Sequence, residues 1–110
     1  MDTPILAQRN PAATTLEDAY TVPTGKWATI SSVSICNRNA AARTFRIALA
    51  PNGDADDPVH YLFYDSNIDG NKTVTAVLGL TLPEATVVRV YDSAADLTFT
   101  ICGAENENGS

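Results

Sequence analysis

Asp65, Asn67, Asp69 and Gly70 stand in the order D-x-N-x-D-G. With this spacing alternate oxygen ligands can wrap a hard cation such as calcium, while the glycine allows a sharp turn. The pattern then breaks. Ala76 occupies the position of the bidentate glutamate, Lys72 that of the apolar residue, and both flanks read as strands. Asp65, Asn67 and Asp69 are therefore a weak metal candidate, set against a plain polar hairpin connection. Asp54, Asp56 and Asp57 cluster a little earlier, where three carboxylates could share a metal or act as an acid and base pair. His60, the one histidine, follows on a strand with Leu62 and Tyr64 and reads as a surface or interface residue. There is no G-x-S-x-G elbow, no Cys and His pair of catalytic spacing and no glycine loop for phosphate. The expectation is a protein that is not an enzyme and needs no cofactor.

Other side chains suggest binding. Arg38, Arg43 and Arg46 fall around one predicted turn of an otherwise acidic chain, a patch that could grip a partner's carboxylates through paired hydrogen bonds. The plain alternative is a solvated rim worth little energetically. Tyr61, Phe63 and Tyr64 pose a similar choice between core and a subunit or ligand surface: Phe63 and Tyr64, adjacent on a strand, must point to opposite faces, one into the core and one outward. Trp27 and Tyr91 are candidates for a sugar-stacking platform, or for the core. Cys36 and Cys102 each end an apolar run and read as two small buried thiols or as a disulfide pair.

The elements that would position these residues are strands. At 110 residues the chain makes one domain, removing roughly 60–70 % of its unfolded surface from water. Hydrophobic residues at 45 % and charged residues at 18 % suit a globular protein. Thr, Val, Ile, Tyr and Phe recur in short runs cut by Pro, Gly, Asn and Asp, the rhythm of an all-β fold. Residues 43–50 alternate most cleanly, with Phe45, Ile47 and Leu49 on one face. Residues 26–36 make a longer strand in which Trp27 and Ile30 fall on opposite faces unless a bulge interrupts residues 29–32. Further strands are predicted over 16–22, 59–64, 73–80, 86–91 and 97–102. About eight half-buried strands bury their apolar rows as a two-sheet antiparallel sandwich, jelly-roll or immunoglobulin-like. Pro4 and Pro11 make residues 1–14 an extended N-terminal arm whose Ile5 and Leu6 would dock on a neighbour. Residues 15–104 form the sandwich domain, and 105–110 a polar tail that frays.

With 13 acidic residues against 7 Lys plus Arg, the net charge of −6 repels a phosphate backbone, so nucleic acid is not an expected partner. No apolar run reaches the roughly 18 residues of a membrane span, and the opening lacks the pattern of a secretion signal. Synthesis in the cytoplasm is expected.

One longer stretch carries a family likeness. Residues 20–49 open with Tyr-Thr-Val-Pro-x-Gly, run through Ile-Cys-Asn-Arg and return as Arg-Thr-Phe-Arg-Ile-Ala; YLFYD and TAVLGLTL follow later. Together these resemble small β-sandwich virion proteins of tailed bacteriophages, of the capsid decoration or cement type. The resemblance implies a structural protein of the virion, bound to the major capsid protein outside the shell, and a homo-oligomer with a trimer favoured. It carries no catalytic or ligand motif. A reading from another class is a head-fibre, neck or tail adhesion module that binds host surface glycans, since sandwiches serve both ends. A hydrolase would rest on the aspartate cluster alone.

Overall fold

Turn residues divide the chain into eight strands among residues 5–107, those the computed structural model describes. They are β1 (Ile5–Arg9), β2 (Glu17–Thr21), β3 (Lys26–Asn37), β4 (Arg43–Ala50), β5 (Tyr61–Ile68), β6 (Thr73–Leu82), β7 (Val87–Asp92) and β8 (Leu97–Glu107). All pair antiparallel, in two four-stranded sheets ordered β1-β8-β3-β6 and β2-β7-β4-β5. The pairs β1 with β8, β2 with β7, β3 with β6 and β4 with β5 are nested and alternate between the sheets. A long hairpin rolled on itself gives this order, so of the two sandwiches predicted the chain adopts the jelly roll.

The inward rows meet as the alternation requires. Phe45 and Ile47 of β4 are buried against Phe99 and Ile101 of β8, with Ile30, Val33 and Ile35 of β3 beside them. The Phe45 ring lies edge-on to Phe99 at 6.3 Å and tilted to Phe63 at 5.7 Å, the offset contacts that aromatic quadrupoles favour. Each such side chain contributes roughly 1.5–3 kcal/mol on burial. The bulge expected in residues 29–32 is present: both pairings of β3 slip between Ile30 and Ser32. Ala28 and Ile30 thereby share the inward face with Val33 and Ile35, but the slip lies beyond Ile30, so Trp27 is not brought to the face of Ile30 and stays exposed.

Several expectations are corrected. Within the expected arm, residues 5–9 are extended but form the edge strand β1 on β8 of the same chain, with Leu6 packed on the core. Residues 1–4 lie outside the described residues. Pro11 is buried, and Asn10 Nδ2 donates to the Leu97 carbonyl at 2.7 Å, so this segment is tied to its own domain. The tail expected from residue 105 is strand as far as Glu107, because the start of β3 offers it a partner from Lys26 to Ala28; residues 108–110 are outside the described residues. The two cysteines are free thiols, Cys36 exposed and Cys102 half-buried. Ile35 and Ile101 take the inward positions, so their neighbours face out, and Cys102 pairs with Ser32 instead of Cys36.

The connection from β1 to β2 is closed by Glu17. Its carboxylate accepts the Ala12 backbone N–H at 2.8 Å and the Arg9 guanidinium at 2.9 Å. The Ala12 amide first and Arg9 second hold the carboxyl below its ordinary value. Folding lowers this pKa, so the clasp contributes in full above the unfolded-state pKa and is lost as pH falls through the folded one. A carboxyl NMR titration is expected to place the Glu17 midpoint below that of a model glutamate; a midpoint at or above it would contradict the clasp.

Residues 51–60 carry two single turns of 3-10 helix, Pro51–Gly53 and Pro58–His60. They pack against β7 and β4 respectively. Beneath them the outer-face residues Ala48 and Ala50 are buried, and their small side chains leave room for the crossing. Arg89 of β7 anchors the loop by donating to the Asp54 and Gly53 carbonyls at 2.7 and 3.2 Å, with Asp18 of β2 accepting its Nε–H at 2.9 Å.

Candidate functional site

Bulges in β5 set up a region where polar and aromatic groups converge on an open concavity. Opposite β4, Tyr61 pairs with Ala48, Phe63 with Ile47 and Ser66 with Phe45, so Leu62 is one extra residue and the pair Tyr64–Asp65 includes another. In a regular strand Tyr61 and Tyr64 would face opposite ways. The extra residue puts both on the outer face and leaves Phe63 pointing to the core, as the adjacent aromatics required. Asp65 sits at φ 50°, a left-handed conformation that Asp tolerates better than most residues.

Arg46 of β4 lies beside these groups and directly opposite Tyr91 of β7. Its guanidinium carbon is 4.1 Å from the Tyr64 ring centroid and 4.2 Å from that of Tyr91, so the cation is clamped between two electron-rich faces. Its Nε–H donates to Asp65 Oδ1 at 2.6 Å, and this bond first of all strengthens its hold on its proton. Tyr61 stands edge-on to Tyr64 at 5.0 Å. Burial raises the Tyr61 pKa, and the Asp56 carboxylate, accepting its hydroxyl proton, raises it further, with Arg46 acting in the opposite direction. Arg46, Asp56, Pro58, Tyr61 and Tyr64 line a groove of about 500 Å³, within the range of small-molecule sites. No family model, curated protein or solved structure matches the chain.

The remaining predicted site residues are dispersed. Arg38 and Arg43 come together on the connection between β7 and β8: Arg38 donates to Asn10 Oδ1 and the Ala95 carbonyl, and Arg43 Nε to Asp96 Oδ2 at 2.9 Å. Arg46 is not part of that corner, since its position on β4 turns it onto the outer face. Ile5 is exposed on β1 and Leu6 is not. Trp27 belongs to the β1-β8-β3-β6 sheet and Tyr91 to the other, so the Trp27–Tyr91 platform is not formed.

The calcium reading loses its donors to other tasks. Asp65 is bonded to Arg46, the Asn67 amide donates to Asp69, and among the described residues no three His, Cys, Asp or Glu side chains gather as a metal group. Asp54, Asp56 and Asp57 also separate. Asp54 offers its carbonyl to Arg89, Asp57 caps the Val59 N–H, and Asp56 meets Tyr61. The Nδ1 of His60 is buried without a partner among the described residues. Tyr61, Pro58 and Asp56 as groove residues were not legible from spacing, because a bulge and a folded loop bring them together.

Proposed function

We propose that the chain is a non-enzymatic structural protein of a tailed-phage virion, a decoration or cement protein that binds the major capsid protein on the outer shell and stabilises it. The observation that carries this reading is the open β1-β8-β3-β6 sheet, whose two edges both present aliphatic side chains. Val77 on the ten-residue edge strand β6 is 83 % exposed, with Val74 nearby, and Ile5 on the opposite edge, β1, is 59 % exposed. Long apolar edges invite pairing with another chain. A ring of copies that sets β1 of one against β6 of the next covers both edges by a closed heterologous contact, which supports a homo-oligomer, a trimer at a three-fold position of the shell. The likeness of residues 20–49 to virion proteins supplies the particle. The dispersal of the aspartates to structural tasks supports binding over catalysis.

Copy number in purified particles of the phage that carries the chain tests the reading. Quantitative mass spectrometry is expected to give a count on the order of that of the shell protein. A dozen copies or so would instead assign the chain to the neck, fibre or tail and overturn the decoration role.

A further inference from the structure

We propose that the groove of Arg46, Asp56, Pro58, Tyr61 and Tyr64 binds a neutral sugar ring of a glycan chain. Three features of the groove lead there. The first is an aromatic surface left in water: Tyr64 is 59 % exposed although it already covers Arg46, and Leu62 beside it is exposed as well. Rigid tyrosines supply contact area at little entropic cost, and their apolar rings suit the C–H faces of a sugar. The second is a set of fixed polar groups at the same spot. The Asp56 carboxylate, the Tyr61 hydroxyl and the Arg46 guanidinium are held in place by one another and by Asp65, so little ordering remains for binding to impose. The third is the backbone of Asp65, in the left-handed region at φ 50°. Such positions are costly and cluster at ligand sites, and this one lies in the pair Tyr64–Asp65 that carries the second extra residue of β5.

Charge selects the ligand class. The one cation of the groove, Arg46, is matched by Asp65 at 2.6 Å, and the remaining charged group, Asp56, is acidic. An anionic sugar or phosphate would meet Asp56 and find no uncommitted cation. A cationic ligand would be drawn to Asp56, but a Tyr64 ring face is already taken by a guanidinium 4.1 Å away, whose like charge opposes a second cation. A neutral polyol avoids both conflicts: its hydroxyls donate to Asp56 and accept from Arg46, hydrogen bonds strengthened by the charge of the protein group.

This inference goes beyond the shell-binding reading and does not depend on it: particle copy number tests that reading, and ligand binding to the isolated chain tests this one. The isotope-labelled full chain is titrated by amide NMR with maltotriose, cellotriose and triacetylchitotriose, with trigalacturonic acid and arginine amide as charged probes. At least one neutral trisaccharide is expected to shift the amides of Asp56 and Tyr61–Asp65 with a dissociation constant of about 1 mM. Tyr64→Ala and Asp56→Asn, each with an otherwise unchanged spectrum, are expected to weaken it about tenfold or more. Silence of these amides with all three neutral sugars, equal or tighter binding of a charged probe, or unchanged affinity in Tyr64→Ala would each overturn the proposal.

Discussion

Gly103→Ala is expected to cost about 4 kcal/mol of stability, the sum of overpacking and of ladder hydrogen bonds pulled apart. Gly103 lies in β8 opposite Ile30, where β3 bulges. A Cβ built there would stand 2.0 Å from the Thr29 carbonyl oxygen, 3.0 Å from its carbon and 3.1 Å from the Ile30 Cα. These are backbone atoms, so no rotamer change relieves the overlap, and the strands must separate. The β3–β8 pair is the spine of its sheet, running from Lys26 with Glu107 to Asn37 with Leu97, and it carries Ile30, Phe99 and Ile101 into the core. Since a domain of this size has roughly 5–15 kcal/mol in hand, the loss is a large share of it. The melting temperature should fall by roughly 15–30 °C, read alongside the urea midpoint. Gly79→Ala is the internal comparison: it meets nothing within 4 Å but has φ +63°, so it is expected to lose only the roughly 1–2 kcal/mol of left-handed strain. Equal melting temperatures for the wild-type chain and Gly103→Ala would remove the close-approach argument.

The contrast between these glycines marks where sequence reasoning reaches. Local periodicity fixed β4 to its ends, because Phe45, Ile47 and Leu49 alternate with smaller or polar partners over the whole of Arg43–Ala50. It also placed the β3 bulge within residues 29–32, although for another pair: Trp27 and Ile30 stay on opposite faces as in a regular strand, and the residue inserted after Ile30 instead aligns Ala28 and Ile30 with Val33 and Ile35. What stayed illegible depends on partners distant in sequence. Ile5–Arg9, flanked by prolines, looked like an arm because nothing local says that β8 lies alongside. Glu105 and Glu107 looked like a fraying tail, yet one is bonded by the Tyr20 hydroxyl and the other pairs with Lys26. The nested order of a jelly roll is likewise a property of long-range pairing, not of any strand's own pattern.

The Arg46 groove shows the same division. Arg46 is one of three arginines close in sequence, but closeness along a turn does not survive the alternation of a strand. Arg43 ends at Asp96, while Arg46 ends between two tyrosines on neighbouring strands. Tyr64 was legible as the outward member of an adjacent aromatic pair. Tyr61 is legible as an aromatic candidate but not in its direction, which the extra residue Leu62 resets. Asp56 belongs to a carboxylate cluster that in sequence suggests a metal or an acid and base pair, and the fold separates its members.

Truncating Asp92 is expected to be the second most damaging change, at about 3 kcal/mol. The residue ends β7 with no exposed surface. Its Oδ1 accepts the Ala94 N–H at 2.9 Å, its Oδ2 the Leu97 N–H at 2.8 Å, and its backbone carbonyl the Thr14 N–H at 2.8 Å. One carboxylate thus shapes the turn into β8. Asp92→Ala leaves two amide donors without acceptors, one of them buried, and each orphan costs roughly 1–3 kcal/mol. Relief of the buried charge's own desolvation offsets part of this, which keeps the total below the simple sum. Asp92→Asn keeps the volume and one acceptor but turns an N–H₂ toward the other donor, so its stability should fall between those of the wild-type chain and the alanine variant. Hydrogen exchange localises the effect: the Leu97 amide, protected in the wild-type chain, should exchange much faster in Asp92→Ala. The consequence extends beyond stability, because the same turn receives Arg38 and Asn10 at the Ala95 carbonyl and Arg43 at Asp96. Freeing it should loosen the corner where those arginines are held, while the Arg46 groove, built on β4, β5 and the 51–60 loop, keeps its geometry. Wild-type exchange at Leu97 in the alanine variant would mean that the turn holds without the carboxylate.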